Sequence, residues 1–120
     1  MPPEPVPPVT AAEVPPPVPV LAPGEEALAQ GIKAYKAAQY AVAETQFKAA
    51  LQAGLSTPTD VANAHKHLAF IYCTSRRATL CAAAFKAARA ADPRFVLSKS
   101  EAGHPMWGPV YRRTLPALKR

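Results

Sequence analysis

Long apolar runs are missing from this sequence of 120 residues. A membrane-spanning helix needs roughly 20 consecutive apolar residues, and prolines or charged residues interrupt the chain well before that length is reached. The first four residues, Met-Pro-Pro-Glu, also lack the basic start and the apolar segment of a secretory signal. We therefore expect the chain as given to be soluble, and the protein to be either cytoplasmic or separated from an upstream export segment.

Residue patterns typical of catalysis or metal binding are missing as well. There is no glycine-rich phosphate-binding loop and no nucleophile with a plausible base beside it. His65 and His67 are two residues apart, which places them about 200° apart around a helix and prevents them from sharing one metal ion. The spacing of the two cysteines excludes a CxxC redox pair. We expect a protein that is not an enzyme and that needs no metal or cofactor.

Carboxylates are scarce in the C-terminal half. Residues 76–120 contain ten Lys and Arg but only Asp92 and Glu101, which gives this half a charge of +8 in a chain of net charge +6. Such a surface favours an acidic partner, an anionic lipid surface or nucleic acid, or it simply keeps the domain soluble. Because no nucleic-acid-binding motif accompanies the charge, we do not expect a nucleic-acid partner.

Proline is abundant only at the start of the chain, where ten of the fifteen prolines precede Gly24. Proline alternating with Val, Ala, Glu and Thr favours extended polyproline II and cannot fold back onto an apolar core. We predict that residues 1–23 form a disordered spacer and that residues 24–120 form the folded domain. An alternative is that the proline-rich segment is a ligand for a small recognition domain.

The rest of the chain has a helical composition interrupted by helix breakers. Apolar periodicity together with Gly54, Pro58 and Pro93 predicts four helices, over about residues 25–38, 40–53, 59–75 and 78–91. The two helix pairs match at a constant offset of 38 residues, in the pairs Ala27/His65, Gly31/Ala69, Tyr35/Cys73, Ala43/Cys81, Phe47/Phe85 and Ala50/Ala88. A helical hairpin repeated at this distance resembles the tetratricopeptide repeat of about 34 residues, with a longer connecting loop.

Two repeats leave an apolar face without a neighbour, and the C-terminal segment is the candidate to cover it. We predict one or two short helices within residues 95–118, with a capping box formed by Ser98 and Glu101. The residues expected to pack or turn in this segment are His104, Pro105, Met106, Trp107, Val110 and Tyr111. The predicted fold is therefore all-α, with two tetratricopeptide-like hairpins and a C-terminal capping helix, preceded by the disordered proline-rich tail.

The first helices of such repeats commonly line a concave groove that holds peptides or partner helices. We expect a short groove here, with apolar positions for a partner's side chains and lysines for a carboxylate. Its predicted residues are Leu28, Ile32, Tyr35, Lys36, Asn63, Lys66, Phe70, Cys73 and Thr74. The alternative is that the N-terminal tail or the C-terminal segment occupies this surface.

Cys73 and Cys81 bracket the turn between the third and fourth predicted helices. Antiparallel neighbouring helices can bring such residues together, and in an oxidising compartment a disulfide would pin the hairpin. The alternative is a pair of small buried thiols, with Cys81 in the small-residue position that Ala43 holds in the first repeat. The residues alone leave both possibilities open.

Several parts of the second half are more particular than the repeat pattern. These are residues 65–73 (HKHLAFIYC), Cys81 with Phe85 and Ala88, residues 92–95 (DPRF) and residues 101–112 (EAGHPMWGPVYR). Together they resemble the TssQ-like lipoproteins associated with type VI secretion systems, over about residues 31–112. The resemblance implies an exported protein with a lipid on an N-terminal cysteine, held at a membrane in the periplasm, and a disulfide between the two cysteines. No lipidation cysteine precedes the proline-rich tail in this sequence, and by the resemblance the tail would be the spacer between anchor and domain.

The function expected from these features is that of a non-catalytic protein-binding or assembly module. By resemblance it would be a periplasmic accessory lipoprotein of a type VI secretion system, with other secretion-system components as partners. It would reach the membrane only through its lipid anchor. The alternatives are a soluble tetratricopeptide adaptor or effector chaperone, and a peptidoglycan-associated structural protein that uses its basic half.

Overall fold

The computed structural model describes residues 21–118, and all regular structure in this range is helical. The six helices are α1 (Pro23–Lys36), α2 (Tyr40–Ala53), α3 (Pro58–Thr74), α4 (Ala78–Ala91), α5 (Lys99–Ala102) and α6 (Gly108–Thr114). The predicted all-α fold is therefore confirmed. The predicted disorder of the proline-rich tail concerns residues that lie, up to residue 20, outside the described range.

Two helix starts differ from the prediction because a proline stands in the first turn. α1 begins at Pro23 rather than at residue 25, and α3 begins at Pro58 rather than at residue 59. Proline suits this position because its fixed φ is helical and its missing N–H has no partner to lose. The helical domain thus extends one residue into the predicted spacer. Thr57 caps α3, since its hydroxyl accepts a 3.1 Å hydrogen bond from the backbone N–H of Asp60.

The helices form two hairpins in a row. α1 packs on α2 and α3 packs on α4, while α2 contacts α3 and joins the two hairpins. α6 then packs against α4. This order is that of tandem tetratricopeptide-like hairpins followed by a helix that covers the last one.

Equivalent residues of the two hairpins occupy equivalent places in the core. Phe47 and Phe85, which are 38 residues apart, are both fully buried. Close packing in the first hairpin requires a small residue at Gly31, where an added Cβ atom would lie 2.7 Å from the ring of Phe47. In the second hairpin the equivalent Ala69 is fully buried. The packing therefore repeats with the same period as the sequence.

The turns inside the two hairpins also share one geometry. Ala38 and Arg76, again 38 residues apart, have positive φ angles of 61° and 63°. The next backbone N–H in each turn donates a 2.8 Å hydrogen bond to a carbonyl near the end of the helix, from Gln39 to Ala34 and from Arg77 to Tyr72. These turns end α1 and α3 at residues 36 and 74, slightly before the predicted residues 38 and 75.

Glycine at either turn position is expected to stabilise the protein, because it adopts a positive φ without the steric cost that Cβ imposes. We expect A38G and R76G each to raise the free energy of unfolding by about 0.5–1 kcal/mol in urea denaturation. A83G, in the exposed middle of α4, is the control and should lower it by about 1 kcal/mol. If A38G and R76G lowered the free energy of unfolding as much as A83G does, the positive φ angles of these two turn residues would be contradicted.

The C-terminal segment covers the second hairpin as predicted. α5 begins with the expected capping box, in which the Ser98 hydroxyl accepts from the N–H of Glu101 and the Glu101 carboxylate accepts from the N–H of Ser98. The buried side chains of the segment are Phe95, Leu97, Trp107, Val110 and Leu115. The expectation that Met106 packs is wrong, since this residue is 46% exposed. It lies in the turn before α6, where the neighbouring Trp107 takes the inward position.

Arg89 of α4 fastens both ends of this segment. Its Nε donates a 2.9 Å hydrogen bond to the carbonyl of Phe95, and one of its terminal nitrogens donates a 2.8 Å bond to the carbonyl of Pro116. Tyr111 adds a further tie inside the segment, because its hydroxyl accepts a 3.2 Å hydrogen bond from the N–H of Leu97. The segment is therefore held by hydrogen bonds between side chains and its backbone, as well as by the packing of its apolar side chains.

Candidate functional site

Cys73 and Cys81 form a disulfide between the end of α3 and the start of α4. Their Cα atoms are 5.2 Å apart, and both residues are buried. The pairing implied by the family resemblance is confirmed. Cys81 is fully buried like Ala43, its equivalent in the first hairpin, so it serves close packing and cross-linking together.

The predicted groove residues of α1 form a graded surface. Leu28 is buried, Ile32 and Tyr35 are half-buried, and Lys36 is exposed. The ring of Tyr35 meets the ring of His67 edge-on, with centroids 5.1 Å apart. The α1 side of the predicted groove is therefore continuous with α3.

The α3 side of the predicted groove is covered by the C-terminal segment. Phe70 stacks on Trp107 with ring centroids 3.9 Å apart, and Trp107 stacks in turn on His104 at 3.5 Å. The indole N–H of Trp107 donates a 2.7 Å hydrogen bond to the carbonyl of Glu101. Around Phe70, the C-terminal segment therefore occupies the surface that an open groove would expose.

Two polar side chains of the predicted groove have partners inside the protein. Lys66 Nζ lies 3.0 Å from a carboxylate oxygen of Glu101, and the Thr74 hydroxyl donates a 2.8 Å hydrogen bond to the carbonyl of Phe70. A cleft of about 230 Å³ stays open beside α3, lined in part by Asn63, Lys66, Arg94, Phe95 and Val96. This open cleft lies toward the start of α3.

His67 of α3 is a packing residue. His67 stacks on Phe47 with centroids 5.0 Å apart, and its pKa is lowered chiefly because burial penalises the charged imidazolium. Its Nδ1 lies 2.8 Å from the carbonyl of Asn63, and since a carbonyl only accepts, Nδ1 is the donor. Burial also lowers the pKa of His65, which is half-buried.

An ion-pair cluster around Glu44 joins the two hairpins, and the sequence patterns did not predict it. The two carboxylate oxygens of Glu44 accept hydrogen bonds of 2.6 and 3.1 Å from the guanidinium of Arg77, and one of them accepts a 3.0 Å bond from Lys48. The Arg77 guanidinium also lies 4.8 Å from the ring centre of Tyr72, within cation–π distance. The i, i+4 spacing of Glu44 and Lys48 was a visible signal, whereas Arg77 is 33 residues away and only the fold brings it to α2.

The Glu44 cluster should make stability depend on pH in the acid range. The hydrogen bond from Arg77, and then the bond from Lys48, lower the pKa of Glu44 from 4.5 to about 2 against the opposing effect of burial. Because the folded-state pKa is depressed, the cluster stabilises fully above pH 4.5 and loses this contribution as the pH falls toward 2. We expect E44Q to be about 1 kcal/mol less stable than wild type near neutral pH.

Urea unfolding of both proteins as a function of pH measures this effect. The difference between wild type and E44Q should shrink toward zero between pH 4.5 and about 2. E26Q, which removes an exposed carboxylate of α1, is the control and should follow the wild-type curve. A difference that stays constant over this range would show that Glu44 acts through packing and not through its charge.

Among residues 21–118, no group of three or more His, Cys, Asp or Glu side chains is placed to hold a metal ion. None of the helices in the same range combines the length and the apolar character that crossing a membrane requires. No family model, curated protein or solved structure matches the chain.

Proposed function

We propose that this protein is a non-catalytic binding and assembly module that acts in the periplasm as a lipid-anchored accessory component of a type VI secretion system. The observation that carries the proposal is the Cys73–Cys81 disulfide within a tetratricopeptide-like hairpin. Structural disulfides persist in oxidising compartments, whereas the cytoplasm keeps most thiols reduced. Helical-repeat domains offer extended surfaces to protein partners.

The choice of a type VI secretion system rests on the resemblance of residues 31–112 to the TssQ-like lipoproteins. The most particular part of that resemblance, residues 103–111, forms the turn and the helix start that cover α3, with Trp107 on Phe70 and Val110 buried. This motif shapes a capped domain, which suits an assembly module that presents a fixed surface. By the same resemblance, the lipid would be attached ahead of the proline-rich segment, with that segment as the spacer.

A second candidate is a soluble adaptor or effector chaperone that binds peptides. The open cleft beside α3 favours it, because Arg94 lines that cleft together with the apolar Val96, although Asp92 lines it as well and Lys66 is paired with Glu101. This combination suits a short peptide in which a carboxylate stands next to an apolar side chain.

Intact-mass analysis and thiol titration test the proposal on protein purified from its native host without reductant. We expect a mass two hydrogens below that of the dithiol form, no titratable thiol, and an acylated residue ahead of the prolines. C73A/C81A, which cannot form the bond, fixes the baseline of the titration. Cross-linking in the host should then link the protein to secretion-system components. Two free thiols on an unmodified N-terminus would overturn the proposal and leave the soluble adaptor.

A further inference from the structure

The second hairpin lacks a carboxylate that the first one has. At the 38-residue offset, Glu44 and Lys48 of α2 correspond to Ala82 and Lys86 of α4. In the first hairpin, Lys48 Nζ lies 3.0 Å from Glu44 Oε2. In the second hairpin an alanine stands in place of that glutamate, and Lys86 is exposed.

Lys86 borders a cleft of about 420 Å³ between α4 and α6, called here the α4–α6 cleft. Its lining residues are Ala78, Thr79, Ala82, Ala83, Lys86 and Arg113. Lys86, the equivalent of Lys48, and Arg113 of α6 both border the cleft that Ala82 lines. The equivalent of Arg77 at this offset is Leu115, so the second cation of the cleft comes from a different position, and no glutamate stands at Ala82.

The chain itself supplies no carboxylate to these cations within residues 21–118. The ion pairs in that range use Lys48, Lys66 and Arg77, and neither Lys86 nor Arg113 takes part in one. The sequences of α4 and α6 contain no Asp or Glu. Two exposed cations at the α4–α6 cleft are a favourable place for the carboxylate of another molecule.

We propose that the α4–α6 cleft binds an acidic side chain of a protein partner, with its carboxylate beside Lys86 and Arg113 in the place that Glu44 fills in the first hairpin. This inference rests on the proposed binding function, because it names the chemistry of the partner. The small residues of the cleft, Ala78, Thr79 and Ala82, let the backbone of a partner segment come close. A protein segment fits better than a membrane, because the open cleft that the two cations border is lined by small side chains and can admit a single acidic side chain.

Ala82→Glu is the sharpest test, because it supplies the missing carboxylate from within the chain. The probe is a fluorescein-labelled peptide of Glu and Ala residues, with a peptide of Gln and Ala as the reference, and fluorescence anisotropy measures binding. We expect wild type to prefer the Glu peptide and A82E to bind it about tenfold more weakly or worse. A29E adds the same charge at an exposed position of α1 and should bind like wild type. Equal affinity of A82E and wild type would overturn the proposal.

Charge reversal and steric blocking test the cleft in two further ways. K86E/R113E should weaken binding about tenfold or more, whereas K33E/K99E, at exposed positions of α1 and α5, should change it little. T79W fills the cleft without changing its charge and should also weaken binding, while A41W, at the equivalent position of α2, should not. Circular dichroism checks that each variant is folded. Equal losses in both members of either matched pair would indicate diffuse attraction and overturn a defined site.

Vesicles containing phosphatidylglycerol separate a protein partner from a membrane. If wild type and A82E bound these vesicles equally and neither bound the Glu peptide, the basic surface would belong to a membrane and the proposal would fall. Cross-linking in the native host tests the proposed function separately. A partner cross-linked only at another surface would leave the binding module standing and overturn this site.

Discussion

Replacing Trp107 with alanine is expected to lower the free energy of unfolding by about 3–5 kcal/mol. The side chain is 8% exposed and lies between the rings of Phe70 and His104, with centroids 3.9 and 3.5 Å away. Alanine removes both stacks and the 2.7 Å hydrogen bond to the carbonyl of Glu101. Because Glu101 is also the partner of Lys66, we expect the variant to loosen the whole C-terminal segment from α3.

Chemical denaturation followed by circular dichroism measures this loss, since Trp107 is the only tryptophan and its fluorescence disappears with it. W107F keeps a ring on Phe70 but has no N–H donor, and it should lose only about 1–2 kcal/mol. M106A, at the exposed neighbour, should change stability by less than about 0.5 kcal/mol. Equal stabilities of W107A and M106A would show that the segment is not part of the cooperative core.

The repeated hairpins could be predicted because their determinants are local. The 38-residue offset between Phe47 and Phe85 in the sequence is also the distance at which the core packing repeats. Both rings are therefore fully buried. The capping box at Ser98 and Glu101 is a pattern of four residues, and it forms as expected. The start of α1 at Pro23 was missed because proline was treated as a breaker, although the first turn of a helix accepts it.

The contacts that shape the candidate site are not local, and for this reason the sequence did not identify the residues that make them. Periodicity shows which face of a helix is buried, but it does not show which distant segment covers that face. The cover on Phe70 is Trp107, and the guanidinium on Glu44 belongs to Arg77. In each pair the partners come from different elements of the fold. The disulfide was left open by the spacing of the cysteines and was favoured only by the family resemblance.

Loss of the Cys73–Cys81 disulfide is expected to lower the free energy of unfolding by about 2–3 kcal/mol on the chain-entropy account. The bond joins residues with a sequence separation of 8, so it restricts the unfolded chain around the α3–α4 turn. For a domain of this size, Tm should fall by roughly 10 °C or more. C73A/C81A is the appropriate variant, because alanine already fills the equivalent of the Cys81 position in the first hairpin, at Ala43.

Wild type in reductant should lose as much stability as C73A/C81A, and the variant itself should not respond to reductant. This match separates the cross-link from the packing of the two side chains. If reductant lowered the free energy of unfolding of wild type by less than about 0.5 kcal/mol, the hairpin would not depend on the disulfide. The second hairpin carries both the C-terminal segment and the α4–α6 cleft. If its stability depends on the disulfide, the surface proposed for the partner is fully formed only in a compartment where disulfides persist.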